Sequence, residues 1–149
     1  MTEARRLLED SLEQRRALGD QRGVADTLRG LADLWREEGN CAATAASLAE
    51  SLRMYSVLGD KANVERTLEE MAFLAAELGQ TERAARLWGA AERLWEELDL
   101  SRSPNAQEEH EKSVSAARAT LGEEVFTSAW EDGRAMTLEQ GITYALADA

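Results

Sequence analysis

Apolar residues recur along this chain with the period of an amphipathic helix. In the segment LGDQRGVADTLRGLADLWREEGN, Leu18 to Asn40, the apolar face falls at positions 24, 27, 28, 31, 34 and 35. Gly19 and Gly39 flank this face, and glycine readily adopts the positive φ that ends a helix. The pattern therefore predicts a helix bounded by glycine-containing turns.

The same pattern occurs again forty residues later, in LGDKANVERTLEEMAFLAAELGQ, Leu58 to Gln80. The identical pairs include Leu18/Leu58, Gly19/Gly59, Asp20/Asp60, Val24/Val64, Thr27/Thr67, Leu28/Leu68, Ala32/Ala72, Leu34/Leu74 and Gly39/Gly79. The preceding helices also correspond, with Leu8 over Leu48 and Ser11-Leu12 over Ser51-Leu52. A fixed internal period indicates a repeat architecture in which neighbouring units bury each other's apolar faces.

The repeat divides the chain into helical segments. Residues 3–20 correspond to the second helix of a truncated first unit, 21–60 and 61–100 are 40-residue repeats, and Thr81–Leu100 includes a diverged third copy of the helix. A further helix is predicted over 101–122 and C-terminal cap helices over 123–149. Ala, Leu, Glu and Arg are abundant and there is one proline, which favours helix throughout. We therefore expect one all-α repeat domain over residues 1–149.

Small and large residues alternate along these helices in a recognisable order. The positions are Ala4, Leu8 and Ser11; Leu31, Ala32, Trp35 and Gly39; Thr44, Leu48 and Ser51; Met71, Ala72, Ala75 and Gly79; and Ala84, Trp88 and Ala91. This order resembles the tetratricopeptide repeat (TPR). The resemblance implies a right-handed superhelix of antiparallel helix pairs with a short helical C-terminal cap. The 40-residue period and the absence of a proline at the end of the second helix depart from the usual 34-residue unit.

A narrower resemblance covers nearly the whole chain, including the closing passage RAARLWGAAERLWEELDL and SPNAQEEHEKSVSAARATLGEEVFTSAWEDGRAMTLEQGITYALA. Together with the LGD-type repeats, it resembles the C-terminal helical-repeat region of large bacterial transcriptional regulators of the LuxR-type and ATPase class. The resemblance implies a sensor or partner-binding segment. It implies neither ATPase nor DNA-binding activity, because the motifs for those activities are missing here.

The two ends of the chain carry different signals. The first helix, predicted over Glu3–Leu18, lacks the partner that would precede it in a complete unit, so we expect truncation or self-association through Leu7, Leu8 and Leu12. At the other end, Ser103-Pro104 is typical of a helix start, and Thr137 to Gln140 reads as a capping box. These C-terminal helices are expected to cover the last repeat.

Composition restricts the function. Seventeen basic and twenty-nine acidic residues give a net charge of −12, which disfavours direct binding of nucleic acid or of an anionic membrane. Cys41 is the single cysteine and His110 the single histidine, so no zinc set is available, and no nucleotide-binding glycine motif occurs. We therefore expect a cytoplasmic protein that is not an enzyme and has no cofactor.

The histidine, the cysteine and the tryptophans are candidate functional side chains. His110, among glutamates, is expected to be a solvated residue of raised basicity, with a pH-sensitive contact as the alternative. Cys41, at a helix start, is expected to be half-buried or exposed rather than nucleophilic. Trp35, Trp88 and Trp130 are expected in the core, and Trp95 is left open as an interface residue.

The first helix of each tetratricopeptide-like unit would line a concave groove. The side chains assigned to it are Asp26, Arg29, Asp33, Arg36, Glu37, Arg66, Glu69, Phe73 and Glu77, followed by Glu109 and Lys112 if three residues are inserted before the third helix. Mixed charge around one aromatic residue suits a protein or peptide partner. Two alternatives stay open: that these side chains are only solvated, and that the chain is a self-associating structural protein that forms a homo-oligomer.

Overall fold

The computed structural model describes residues 2–147, and over that range the chain forms eight α-helices and no strand. They are α1 (Glu3–Leu18), α2 (Gln21–Glu37), α3 (Cys41–Leu58), α4 (Lys61–Glu77), α5 (Thr81–Glu97), α6 (Pro104–Leu121), α7 (Glu123–Arg134) and α8 (Leu138–Leu146). The all-α prediction is therefore confirmed. The predicted cap helices end at Leu146, and the last two residues of 123–149 lie outside the described residues.

Helix starts follow a period of 20 residues, half the repeat seen in the sequence. Helices α2, α3, α4 and α5 begin at positions 21, 41, 61 and 81. A residue with positive φ follows each of the helices α1 to α5. These residues are the glycines at 19, 39, 59 and 79, with φ between 68° and 79°, and then Asp99 at φ 52°. The left-handed conformation lets the following N–H groups bond back to the last turn, as Asp20 N–H does to the Arg15 carbonyl at 3.0 Å.

The regular spacing ends after α5. Helix α6 begins at Pro104, three residues later than the period would place it, with Ser103 as its cap. The extra residues are Ser101, Arg102 and Ser103. Thr137 and Gln140 form the predicted capping box at the start of α8. Local sequence signals therefore set the helix boundaries correctly at both the regular and the irregular end.

The chain divides into two compact units, and the division falls inside α4, between Val64 and Glu65. In the first unit α2 packs against both α1 and α3. Its core is formed by Val24, Ala25, Leu28, Leu31, Ala32, Leu48, Leu52 and Tyr55. Helix α1 contributes no buried residue, and it contacts α2 through half-buried side chains only.

The second unit is organised around α5, which contacts α6, α7 and α8. Gly89 of α5 and Gly133 of α7 allow a close helix crossing, because a Cβ at Gly133 would lie 1.9 Å from the Arg86 carbonyl oxygen. Arg83 donates to the Ala145 carbonyl at 2.8 Å, near the end of α8. Phe126 and Ala129 of α7 are buried. The C-terminal helices thus fold onto α5.

Candidate functional site

In the first unit, the residues predicted to line a groove lie on one face of α2. They are Asp26, Arg29, Asp33, Arg36 and Glu37. Successive members are three or four residues apart, except for the adjacent final pair. Asp33, Arg36 and Glu37 are exposed and occupy the second half of the helix. These three side chains present both signs of charge to solvent within two turns.

Asp26 and Arg29 have structural contacts instead. The phenol of Tyr55, which is fully buried, donates to the Asp26 carboxylate across the α2–α3 contact. Burial, followed by this hydrogen bond, raises the pKa of Tyr55 to about 12. The Arg29 guanidinium donates to Asn63 Oδ1 at 3.1 Å. Both residues therefore contribute to packing within the first unit as well as to its polar face.

In the second unit, most of the predicted residues lie at the surface. Arg66, Glu77, Glu109 and Lys112 are exposed, and Phe73 is half-buried. Arg66 Nε lies 3.8 Å from Glu70 one turn along α4, and Lys112 Nζ lies 3.4 Å from Glu108. Such exposed pairs contribute little to stability, so these side chains can exchange partners at little cost.

Glu69 differs from its neighbours in the predicted row, because Arg102 binds it. Arg102, from the three-residue insertion, bonds to Glu69 Oε1 and stacks on the Trp95 ring at 4.6 Å from its centroid. The same guanidinium lies 4.0 Å from Glu65 Oε1. We call Glu65, Glu69, Glu92, Arg102 and His110 the Glu65 cluster.

Glu65 is the most buried carboxyl of this cluster, at 3% exposure. Its Oε1 atom is buried without a hydrogen-bond partner. Burial, followed by the negative charge of Glu69, raises the pKa of Glu65 to about 8, while Arg102 opposes the rise. Burial and Glu69 thus both favour the protonated form of Glu65, while Glu69 is the carboxylate that bonds to the Arg102 guanidinium.

The expectation for His110 is wrong. Its side chain is 19% exposed, with Nδ1 3.7 Å from Glu69 Oε1, and its ring meets Trp88 edge-on at a centroid distance of 6.4 Å. Burial, followed by repulsion from Arg102, lowers the pKa of His110 despite the nearby glutamates. The glutamates adjacent in sequence suggested a solvated site, but the ring turns inward toward α4 and α5.

Sequence reasoning did not single out Glu65 or Arg102, although two signals pointed to them. Glu65 occupies the position that Ala25 holds in the preceding copy of the repeat, where a buried alanine would be expected. Arg102 lies in the insertion that interrupts the helix period. A charged residue at a core position and an insertion are both departures from the repeat, and here the two departures contact each other.

The remaining predicted residues are distributed as follows. Leu7 is 57% exposed, whereas Leu8 and Leu12 are half-buried. Cys41 is half-buried at the start of α3, as expected.

The tryptophans differ from one another in burial. Trp88 is buried as predicted, but Trp35 and Trp130 are only half-buried, with the guanidinium groups of Arg5 and Arg134 over their rings. Trp95 is also half-buried beneath Arg102. An arginine therefore covers each of the three tryptophans that are not in the core.

Metal-binding groups and one cleft of the described chain bear on small-ligand binding. Across residues 2–147, no group of three or more His, Cys, Asp or Glu side chains is arranged to hold a metal ion. Helices α5 and α8 border a cleft of about 160 Å³ lined by Leu68, Leu94, Met136 and Leu138, among others. Small-molecule sites typically have roughly 300–1,000 Å³. No helix within the described range has the length and apolar composition to cross a membrane.

Comparison with known proteins gives one consistent similarity. The chain is 30% identical over 119 residues to proteins from Mycobacterium bovis and Mycobacterium tuberculosis named "Putative HTH-type transcriptional regulator". The match covers 80% of this chain but spans only 12% of the length of those relatives. No protein-family model and no solved structure matches the chain.

Proposed function

We propose that this chain is a non-catalytic protein-binding module, the sensor or partner-binding part of a bacterial transcriptional regulator acting in the cytoplasm. The observation that carries the proposal is the similarity of 80% of the chain to a 12% portion of much longer proteins named as transcriptional regulators. A portion that small is expected to have one task within the whole protein. An all-helical segment without a metal-binding group in its described residues fits binding better than chemistry.

The proposed architecture is the tetratricopeptide-like right-handed superhelix that the sequence predicts. The 20-residue spacing of α2 to α5 supports it, since every helix has nearly the same length and ends in the same left-handed turn. In this arrangement the first helix of each repeat, α2 in one and α4 in the next, would present its charged face to a protein or an extended peptide.

The exposed arginines of these faces provide the test. Arg36 on α2 and Arg66 on α4 are exposed, whereas Arg29 is half-buried and bonded to Asn63, so changing Arg29 would also disturb packing. The double variant Arg36→Glu with Arg66→Glu reverses two charges on the proposed surface. A random peptide library displayed on phage, selected on the wild-type chain, supplies the probe.

We expect selected peptides to contain an apolar residue flanked by charges and to bind the double variant at least about tenfold more weakly, about 1.4 kcal/mol in binding free energy. Arg53→Glu, an exposed change on α3, is the matched control and should retain wild-type affinity. Equal binding of selected peptides by the wild-type chain and the double variant would exclude the α2 and α4 faces as the binding surface.

Self-association is a second candidate, and the exposure of Leu7 favours it. Helix α1 has no buried residue, and Leu7 is among the most exposed large apolar side chains of the described range. Leu7→Lys would place a charge on this face and should convert an oligomer to a monomer in sedimentation equilibrium. The alternative fails if the wild-type chain is monomeric at about 100 μM. A dissociation constant above that concentration corresponds to a binding free energy weaker than roughly 5 kcal/mol, which does not hold a stable assembly.

A further inference from the structure

The Glu65 cluster has a feature that partner binding does not require. A buried carboxyl oxygen without a hydrogen-bond partner is rare in folded proteins, and leaving one unpaired costs free energy. The oxygen belongs to Glu65 on α4. The cluster also includes Arg102, which lies just before α6, and His110, which lies in α6. The cost is therefore located beside Arg102, where His110 of α6 approaches Glu69 of α4 to 3.7 Å.

We propose that the Glu65 cluster is a pH-dependent switch that holds α6 against α4 while Glu65 carries a proton and loosens α6 when that proton is lost. With Glu65 neutral, the Arg102 guanidinium bonds to the carboxylate of Glu69, and Glu92 is the third glutamate of the cluster. Loss of the proton adds the charge of Glu65 to a space that already holds Glu69 and Glu92, with Arg102 as the bound guanidinium. When the cluster opens, water reaches Glu65, and Glu65 then ionises like any exposed glutamate. The proton that it loses goes to solvent.

Charged groups from three elements surround Glu65. Glu69 lies one turn along α4, Arg102 lies in the α5–α6 connection, and Glu92 lies on α5, where burial raises its pKa as well. Arg134, which bonds to Glu96 at 2.7 Å, is the next cation beyond Glu92. Arg102 is thus the cation that binds within the cluster.

His110 adds an opposing dependence from α6. Its neighbours are Arg102, Glu69 and Glu111, and burial together with Arg102 lowers its pKa. A histidine with a lowered pKa is destabilising when it must be protonated, so its contribution to holding α6 is lost as the pH falls below about 6.5. A glutamate with a raised pKa acts the other way, because its contribution is complete below about 4.5 and is lost as the pH rises toward 8.

Above pH 6.5 the contribution of His110 is complete, and the dependence comes from the carboxyls of the cluster, of which Glu65 is the most buried. Opening releases one proton in this range, so the equilibrium constant for opening should rise about tenfold per pH unit. It should level off above pH 8, where Glu65 is ionised in both states. Below pH 6.5 the effects of Glu65 and His110 oppose each other, and the dependence should flatten.

Hydrogen exchange by mass spectrometry on the full chain measures this directly. Peptides from α6, residues 104–121, should lose protection about tenfold between pH 6.5 and 7.5, after correction for the intrinsic pH dependence of exchange. Peptides from α2 and α3 in the same samples serve as the internal reference and should show no such loss. A uniform loss in all peptides would show global unfolding and would overturn a switch confined to α6.

The variant Glu65→Gln keeps the shape of the side chain but cannot ionise. Its α6 protection should stay within about twofold from pH 6.5 to 8.5, and should decline only on acidification, where His110 titrates. Glu109→Gln, an exposed change on α6, should retain the wild-type dependence. If Glu65→Gln does not fold, Glu65→Ala, which copies the residue at position 25, replaces it. A wild-type profile in the Glu65 variant, or a flat profile in the wild-type chain, would overturn the proposal.

Discussion

Helices α2 and α4 occupy equivalent positions in the repeat, yet they differ in a residue that they bury. Ala25 and Glu65 share one register position and both are buried. In the first unit the nearby polar contact is a simple tyrosine–aspartate hydrogen bond at the edge of the packing, from Tyr55 to Asp26. In the second, a buried carboxyl requires an arginine from an insertion. The repeat specifies where helices begin and end. The departures from the repeat specify the polar contacts that each helix makes with its neighbours.

The units also differ in how closely their outer helices approach. Helix α1 leaves Gly30 of α2 with ordinary space, because a Cβ there would lie 3.5 Å from the Leu8 methyl groups. Helix α7 approaches α5 so closely that Gly89 and Gly133 admit no Cβ at all. Close approach of this kind makes the second unit more sensitive to added atoms than the first.

Exchanging the buried residue should have the largest effect. Ala25→Glu would bury a carboxyl in the first unit, where α4 begins on the regular period and no insertion supplies an arginine. We expect a loss of about 3–5 kcal/mol in the free energy of unfolding at pH 7, measured by urea denaturation. Ala42→Glu, on the exposed side of α3, is the control and should change stability by less than about 0.5 kcal/mol. A loss for Ala25→Glu below about 1 kcal/mol would contradict the comparison.

Adding one methyl group should separate the two helix contacts. Gly133→Ala should destabilise the chain by about 2–3 kcal/mol, because the new Cβ would overlap the Arg86 carbonyl and force α7 away from α5. Gly30→Ala should instead stabilise it by about 0.5–1 kcal/mol, since alanine is the better helix former and space is available. Thermal and urea denaturation of both variants provide the measurement, and equal effects would contradict the difference in approach.

The polar contact of the first unit should have a moderate effect. Tyr55→Phe removes the donor to Asp26, which is exposed and can bond to water instead. We expect a loss of about 1 kcal/mol in the free energy of unfolding. In the wild-type chain, an ultraviolet titration should place the tyrosinate transition of Tyr55 near pH 12, above that of an ordinary tyrosine. A transition near pH 10 would show that the phenol is not buried against a carboxylate.

The smallest effect concerns the turn at which the regular period ends. Asp99 has a φ of 52°, where the four preceding turns have glycine. Asp99→Gly should therefore stabilise the chain by about 0.5 kcal/mol, and Gly79→Asp should have the opposite sign. Differential scanning calorimetry can resolve the pair. A destabilising Asp99→Gly would show that the aspartate side chain has a role beyond the turn.

Much of the fold could be predicted from local signals. The helices over Glu3–Leu18 and Pro104–Leu121 and the capping box at Thr137 were expected from glycine, proline and capping residues, because these act within a few residues of their own position. The apolar residues of α7 and α8 indicated helices that pack on a neighbour, and the neighbour that they contact is α5.

The candidate site could be predicted only in part. Asp33, Arg36 and Arg66 are exposed, and their place in a groove stays a prediction. The register could not reveal that Glu69 binds Arg102 or that His110 turns inward. Those contacts depend on where a three-residue insertion directs the chain, which helical periodicity does not encode. The burial of Glu65 could have been anticipated by asking what its counterpart, Ala25, would require of a carboxyl.

The most direct test of this comparison is the ionisation of Glu65 itself. Carbon-13 labelling of glutamate side chains, with Glu65→Gln to assign the resonance, allows the carboxyl shift to be followed from pH 4 to pH 10 by NMR in the full chain. A pKa of about 8 for Glu65 is expected if it is held protonated opposite Arg102 and beside Glu69. A midpoint near the ordinary glutamate value of about 4.3 would contradict the account, because Glu65 would then be ionised at neutral pH like an exposed residue.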